Sequence, residues 1–346
     1  MDAYTIAAVR EVRPTTIPEP EVGPRDILID VHYVGLCGSD LNSYRGQMPL
    51  VTMPRIPGHE IGGVIADKGA EVPASFPVGA KVTVSPYTNC GTCPSCRAGR
   101  PNTCEFNQTL GVQRDGALTR RISIPFEKVY TNAVLSLPEF ALVEPLSVGY
   151  HGANRGEVRE TDTVLILGCG TVGMGALLGS LRKGARVVVT DIDDSKLEQA
   201  RKFGADACFN STRQDPLAAI RELTRGEGAS VVIEAAGTPS TYQLALEAVC
   251  YSGRVVLIGY SKGTVSVEAP LIVRKEVTIF GSRNSLGVFP AIFAMFEKKE
   301  KPFADLITRV YPFRETPRAF ADWDAHPESV SKYLIQVSGS SGKTIP

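Results

Sequence analysis

The 346-residue chain has no excess of charge of either sign: lysine plus arginine and aspartate plus glutamate number 37 each. Without a basic surplus it has no electrostatic footprint for nucleic acid, and without an acidic block it has no solvated interaction tail. The first residues, MDAYTIAAVREVRP, lack the basic-then-apolar profile of a secretory signal. No internal repeat and no low-complexity linker interrupts the sequence. Eight cysteines at uneven spacing are not a disulfide framework in a chain of this length. They read as metal ligands and buried thiols, and the cytoplasm is the expected compartment. Long apolar runs are scarce too. The one charge-free stretch, Thr163 to Leu181, is barely long enough to span a bilayer and is rich in glycine. Its Gly175-x3-Gly179 spacing imitates a membrane-helix pairing motif. Val164–Leu167, however, is a short aliphatic block ending in glycine, so strand, turn, helix explains the run better. No membrane segment is expected.

What is present fits a soluble enzyme. An apolar content of 43% supports ordinary packed cores, and the length divides most naturally into two domains. Four cysteines stand together as Cys90-x2-Cys93-x2-Cys96-x7-Cys104, downstream of Gly58-His59-Glu60. Four thiolates close a tetrahedral zinc site completely, which makes it structural. A histidine and a carboxylate, joined by ligands that folding brings in, suit an open site that keeps a position for substrate. Short C-x2-C pairs also occur in zinc ribbons that bind nucleic acid. This loop carries Arg97 and Arg100 but lies in a neutral chain with no aromatic platform.

Gly168-x-Gly170-x-x-Gly173 follows an aliphatic strand and opens a helix, so Gly168, Gly170, Thr171, Val172 and Gly173 form a candidate dinucleotide cradle. The first glycine permits the tight turn, the second lets backbone approach a pyrophosphate, and the third lets helix and strand pack closely. A second strand, Arg186–Thr190, ends in Asp191, where a carboxylate accepts hydrogen bonds from the ribose hydroxyls of NAD. The same charge repels the 2′-phosphate of NADP, and Asp193 and Asp194 add to it. NAD is the expected cofactor.

Beyond Asp191 the pattern alternates. Helices are expected near Ser195–Phe203, Pro216–Thr224 and Pro239–Cys250. Strands are expected near Ala207–Phe209, Val231–Ala236, Gly253–Gly259 and Val277–Gly281. Alternation of this kind implies a parallel, doubly wound sheet. Residues 1–140 instead show short β-like runs (Ile27–Val34, Glu60–Ala66, Lys81–Ser85, Arg121–Ile124) broken by Pro and Gly, the pattern of a barrel-like β domain. Past about residue 285, a helix mixes with strand-like pieces at Ile307–Tyr311 and Tyr333–Val337.

Several motifs together carry a family resemblance over essentially the whole chain. They are Cys37-Gly38-Ser39-Asp40, Gly58-His59-Glu60-x2-Gly63-x5-Gly69-x2-Val72, the cysteine tetrad, Val143-Glu144-Pro145 and the glycine cradle. The chain resembles the zinc-containing medium-chain dehydrogenases of the polyol and sugar-acid branch. The stretches LGVQRDG and Gly281-Ser282-Arg283-Asn284 look most like the L-galactonate/L-gulonate 5-dehydrogenase group. The resemblance implies a GroES-like β-barrel catalytic domain from residues 1–145 and 285–346, with a zinc lobe near 86–106. It also implies an inserted Rossmann domain, residues 146–284, of doubly wound parallel-sheet type.

The same resemblance implies two zinc ions per chain. Cys37 and His59 match ligands of the catalytic zinc. Glu144 takes the place of a second cysteine, and Glu60 is an adjacent carboxylate that binds the metal or holds its water. Zinc and NAD would then oxidise a secondary alcohol to a ketone, with hydride passing to the nicotinamide. Ser39 matches a hydroxyl relay for the released proton. Many relatives continue that relay through a histidine where this chain has Asn42, so water or Glu60 takes over. Arg283 and Asn284 match cofactor- and substrate-contacting positions, Lys332 a basic position at the pyrophosphate, and Lys196 a flank of the adenosine ribose. Arg45, Arg55, Arg114 and Arg283 all stand as candidates for a substrate carboxylate. His32, His151 and His326 are expected to be structural, and Cys169, Cys208 and Cys250 to be buried thiols. The expected partners are a small polyol or sugar-acid substrate and further copies of the chain, as dimer or tetramer. Sorbitol-like polyols and L-threonine-like amino alcohols are the alternatives within the enzyme class. A catalytically silent NAD- and zinc-binding protein is the alternative outside it.

Overall fold

The computed structural model describes residues 1–261 and 263–338. The chain forms two compact units. One comprises Met1–Glu144, Phe289–Lys299 and the segment from Ile307 onward; the other comprises Pro145–Val288 and Glu300–Leu306.

The N-terminal part contains strands β1 (Asp2–Ala8), β2 (Glu11–Thr16) and β3 (Asp26–Gly35), then helix α1 (Gly38–Tyr44), β4 (Glu60–Lys68) and β5 (Lys81–Val84). A one-turn helix α2 (Pro94–Arg97), strands β6 (Arg121–Pro125) and β7 (Val129–Thr131) and the long helix α3 (Leu137–Arg155) follow. The second unit then runs β8 (Thr163–Leu167), α4 (Thr171–Leu181), β9 (Arg186–Asp191), α5 (Asp194–Lys202), β10 (Ala207–Asn210), α6 (Pro216–Leu223) and β11 (Ala229–Glu234). It continues with α7 (Pro239–Ala248), β12 (Val249–Leu257), α8 (Ala269–Lys275) and β13 (Thr278–Gly281). The chain returns to the first unit through α9 (Phe289–Glu297), β14 (Arg309–Pro312), α10 (Thr316–Ala325) and β15 (Tyr333–Gln336).

The first unit is built on a seven-stranded sheet of order β14-β15-β3-β4-β5-β7, with β6 also paired to β3. Strand β3 shows why the sequence folds this way: Ile27, Ile29 and Val31 alternate with less buried neighbours and enter one core, while Tyr33 packs in a separate cluster with Ala141 and Leu334. Its register positions the site. Gly35 lies opposite Glu60 on β4 and opposite Leu334 on β15. The end of β3, the start of β4 and the start of β15 therefore meet in the middle of the sheet.

The second unit is a six-stranded sheet of order β10-β9-β8-β11-β12-β13, parallel throughout. Its inner strands are continuous aliphatic runs, as expected of strands covered on both faces. The chain starts at β8, winds outward to β10, and crosses back to β11, which leaves a switch point between β8 and β11. The glycines of the charge-free stretch serve packing between α3 and α4. A Cβ on Gly175 would run into the Leu146 carbonyl, and one on Gly149 into the Val172 carbonyl. One on Gly179 would meet Tyr150 and Ala153 at 3.0 Å. The small-x3-small spacing thus pairs two helices of one unit. Among the described residues no helix is long and apolar enough to cross a membrane.

Some boundaries differ from the sequence-based expectations for physical reasons. The strand expected over Val231–Ala236 stops at Glu234, because the Ala236 and Gly237 amides turn back to donate to the Glu234 carboxylate. Residues 300–306, expected with the catalytic domain, group with the other unit. There the Phe303 ring packs edge-on against Phe203 with centroids 5.6 Å apart, and Gln199 donates to the Asp305 carbonyl. The β1–β2 hairpin and helices α1, α3 and α8 went unassigned.

Because backbone atoms face Gly175, the site has no room to give. Gly175→Ala is expected to cost about 1–3 kcal/mol, measured by urea unfolding of the NAD-free protein. A midpoint equal to that of the parent would contradict the close helix crossing.

Candidate active site and metal centres

Cys90, Cys93, Cys96 and Cys104 bring their four sulfurs within 4.8 Å of one another, with Cys93 Sγ and Cys104 Sγ 3.9 Å apart. The loop aims backbone amides at them. Thr92 and Cys93 donate to Cys90 Sγ at 3.4 and 3.3 Å, and Cys90 donates to Cys104 Sγ at 3.3 Å. A hydrogen bond with the Ser95 hydroxyl, followed by the Glu105 and Cys96 amides, lowers the Cys93 thiol, while burial and then the Cys93 hydrogen bond raise Cys96. Amides that stabilise thiolate charge in a ring of four sulfurs fit a zinc ion with all its positions filled by protein.

The second cluster lies where β3, β4 and α1 meet. Cys37 caps the N-terminus of α1, and its amide donates to Asp40 Oδ2 at 2.9 Å. His59 follows Gly58, whose φ of +101° turns the chain into β4 and leaves a side chain there strained against Val34. Cys37, His59 and Glu60 present sulfur, nitrogen and oxygen donors within 4.8 Å of one another. His59 is 5% exposed and Glu60 fully buried. Gly35 makes room for the carboxylate, because a Cβ there would collide with Glu60 Oε2.

The electrostatics call for a cation. Burial alone would lower the His59 pKa, yet the nearby Cys37, Asp40 and Glu144 anions overcome it and raise it well above its usual value. His59 Nδ1 and Asp40 Oδ1 are buried without a hydrogen-bond partner, and so is Ser39 Oγ. Burial raises the Asp40 carboxyl, partly offset by His59. Excess negative charge, converging soft and hard donors and orphaned polar atoms together fit a divalent ion such as zinc.

Glu144 lies on α3, 3% exposed, and accepts a hydrogen bond from the equally buried Tyr87 phenol. It stands outside the three-residue cluster but close enough to act on the His59 charge. Burial raises the Glu144 carboxyl, offset chiefly by His59. Burial and then the Glu144 charge hold the Tyr87 phenol well above its ordinary range, so it is a donor.

Lys332, expected at the pyrophosphate, has a partner that its sequence did not announce. It lies at the start of β15, 4% exposed, with its ammonium 2.5 and 2.6 Å from the two Glu60 oxygens and 2.9 Å from the Leu36 carbonyl. The ammonium thus forms a buried ion pair with Glu60. Burial disfavours its charge, but Glu60 and then Cys37 raise its pKa above normal. The β15–β3 register, invisible in the sequence, is the cause.

In the other unit the glycine cradle has the expected geometry. Gly168 adopts φ +92°, a Cβ on Gly173 would strike the Gly168 carbonyl, and a Cβ on Gly170 would meet open space. Thr171 and Val172 open helix α4, whose positive dipole end favours phosphate. Asp191 ends β9 and accepts from the Cys169 amide at 2.6 Å and the Asp193 amide at 3.0 Å, which fixes its carboxylate beside the cradle. Lys196 is buried on α5, with its amide on the Asp193 carboxylate. Arg283 and Asn284 follow β13 in this unit, Asn284 with φ +56°. Of the candidate carboxylate clamps, Arg45 is engaged by Asp324 at 2.5 Å and Arg55 by Asp115 at 3.1 Å. Tyr87, Asp40 and Gly35 were missed as site residues. Asp40 stood inside a quoted motif, whereas Tyr87 sits in a loop with no periodic signal.

Removing the Lys332 ammonium strands a buried carboxylate. Lys332→Ala is expected to lose about 3–5 kcal/mol of unfolding free energy, and the Lys332→Met, Glu60→Gln double variant clearly less. Equal losses in a denaturant titration would refute the pairing energetics.

Comparison with known proteins adds an independent line. Residues 23–134 match the family description "Alcohol dehydrogenase GroES-like domain", and residues 171–298 match "Zinc-binding dehydrogenase". The chain is 34% identical to sorbitol dehydrogenase of Bacillus subtilis (strain 168) over 326 residues, covering 92% of both chains. It is 32% identical to L-galactonate-5-dehydrogenase of Escherichia coli K12 over 298 residues, 86% of this chain and 87% of that one. Among solved structures, an alcohol dehydrogenase of E. coli CFT073 complexed with NADH superposes with a TM-score of 0.89 at 28% identity, covering 97% and 99% of the two chains. A zinc-binding dehydrogenase of Sinorhizobium meliloti 1021 bound to NADP gives 0.87 at 28% identity, again covering 97% and 99%.

Proposed function

The chain belongs to the zinc-type medium-chain alcohol dehydrogenases, oxidoreductases that act on CH–OH donors, and we propose that it oxidises a secondary alcohol of a sugar acid or polyol to a ketone with NAD. The observation that carries this proposal is the buried convergence of Cys37, His59 and Glu60, with Glu144 nearby, in a chain that also has an Asp191-marked nucleotide cradle. A silent binding protein has no need of a complete open donor set.

Cys37, His59 and a carboxylate would hold a zinc ion supplying Lewis acidity toward an alcohol oxygen, and the glycine cradle would hold NAD as the hydride acceptor. The chain's own residues do the rest. One thiolate with carboxylate oxygen gives a harder donor set than two thiolates, which suits an oxygen-rich substrate. Ser39 Oγ, buried and without a protein partner, is placed to relay the substrate's hydroxyl proton, giving up its own proton as it takes the other. Glu60 is held by Lys332 at both oxygens, so its role is to tune the donor set and keep the charge balanced. Onward transfer passes to water, since Asn42 cannot titrate.

Asp191 favours NAD: its carboxylate is fixed by two amides, ready for ribose hydroxyls and repulsive to a 2′-phosphate. The sugar-acid assignment draws on the likeness to L-galactonate-5-dehydrogenase, and the likeness to sorbitol dehydrogenase supports a neutral polyol as the second reading. The chain acts as a homo-oligomer on this proposal, because β13 ends its sheet as an edge strand among the described residues, with Ile279 exposed on it. A cytoplasmic location agrees with eight cysteines, none in a disulfide.

A screen of hexonates, pentitols and hexitols, followed by absorbance of the reduced cofactor, is expected to show NAD-linked oxidation of a sugar acid or polyol. Absence of turnover on all three classes would refute the substrate assignment. Asp191→Ala is expected to raise KM for NAD about 10- to 100-fold, the worth of lost charge-assisted hydrogen bonds, and to narrow the preference over NADP. An unchanged preference would remove Asp191 from cofactor selection.

A further inference from the structure

Two carboxylates flank the Cys37–His59 pair, and each is held by a different partner. Lys332 takes both oxygens of Glu60. Tyr87, from the loop after β5, donates to one oxygen of Glu144. The phenol is 6% exposed and the carboxylate 3% exposed, so neither exchanges this bond for water. A glutamate carboxylate has two χ angles beyond Cβ, and a hydrogen bond to one of its oxygens restricts both. We propose that Tyr87 is a positioning residue of the open metal site: its hydrogen bond commits one oxygen of Glu144 and so presents the carboxylate to the metal held by Cys37 and His59.

This inference rests on the zinc assignment proposed above. It explains why a polar aromatic stands in a loop buried among anions, where phenylalanine would pack as well and avoid a buried hydroxyl. It also divides the labour of the two acids. Glu60 carries its own counter-cation in Lys332, which weakens its pull on a metal. Glu144 takes its printed hydrogen bond from a neutral phenol and feels Lys332 only at longer range, after His59. Hydrogen bonds to ligating carboxylates set metal affinity, and their loss typically costs about 10- to 100-fold.

The test is the rate at which the zinc-loaded enzyme gives up zinc to a chromogenic chelator in excess. Cys37→Ser identifies the phase that belongs to the open site, and the remaining phase belongs to the cysteine tetrad. Tyr87→Phe is expected to speed release from the open site about tenfold or more and to leave the tetrad phase unchanged. In cobalt-substituted protein, the same variant is expected to shift the visible ligand-field bands. Open-site release and cobalt bands that match the parent in Tyr87→Phe would overturn the proposal. So would an equal acceleration by Tyr87→Phe on a Glu144→Gln background, because the effect would then bypass Glu144. If the parent shows no release phase that Cys37→Ser removes, the zinc assignment itself fails and this inference falls with it.

Discussion

The buried pair of Glu60 and Lys332, 272 residues apart in sequence, is the interaction on which the first unit's site depends. Neither charge is tolerable alone in that interior, so each residue requires the other to be in place. The pair closes the point where three strands meet: β3 ending at Gly35, β4 beginning at Glu60, and β15 following Lys332. Gly35 must lack a side chain for the carboxylate to enter, and the Leu36 carbonyl takes the ammonium's third bond. With this junction set, Cys37 and His59 fall beside Glu60, and a donor set assembles that no local segment contains.

The two cysteine-bearing sites differ in the way their chemistry demands. The tetrad is contained in one short loop, surrounded by its own amides, and needs nothing from the rest of the chain to gather four sulfurs. The Cys37 site is assembled from distant segments and mixes thiol, imidazole and carboxylate with orphaned polar atoms at its edge. A closed shell of identical ligands holds structure. A mixed, incompletely satisfied one leaves something for a ligand to do.

The legibility of these features in the sequence tracked how local they are. The glycine cradle and the tetrad are written in consecutive residues with fixed spacing, and the alternating pattern after Asp191 marked the parallel sheet. The family motifs named Cys37, His59 and Glu144 without saying how they meet. Features set by register could not be read. The pairing of Lys332 with Glu60 is one such feature, because which strand lies beside β3 is a tertiary fact. Tyr87 gave no signal, since a loop residue has no period and its partner lies 57 positions away. Residues 300–306 looked like more of the catalytic domain until the Phe303–Phe203 contact placed them elsewhere.

The central claim is that one chain carries two zinc sites with separate duties. Zinc content of the purified protein and two variants, read beside thermal stability and turnover, tests it most directly. About two zinc ions per chain are expected in the parent and about one in each of Cys37→Ser and Cys93→Ser. Cys37→Ser should be folded and inactive, and Cys93→Ser should be the less stable of the two. A parent with a single zinc that survives Cys37→Ser, or a Cys93→Ser variant that is fully stable but inactive, would contradict it.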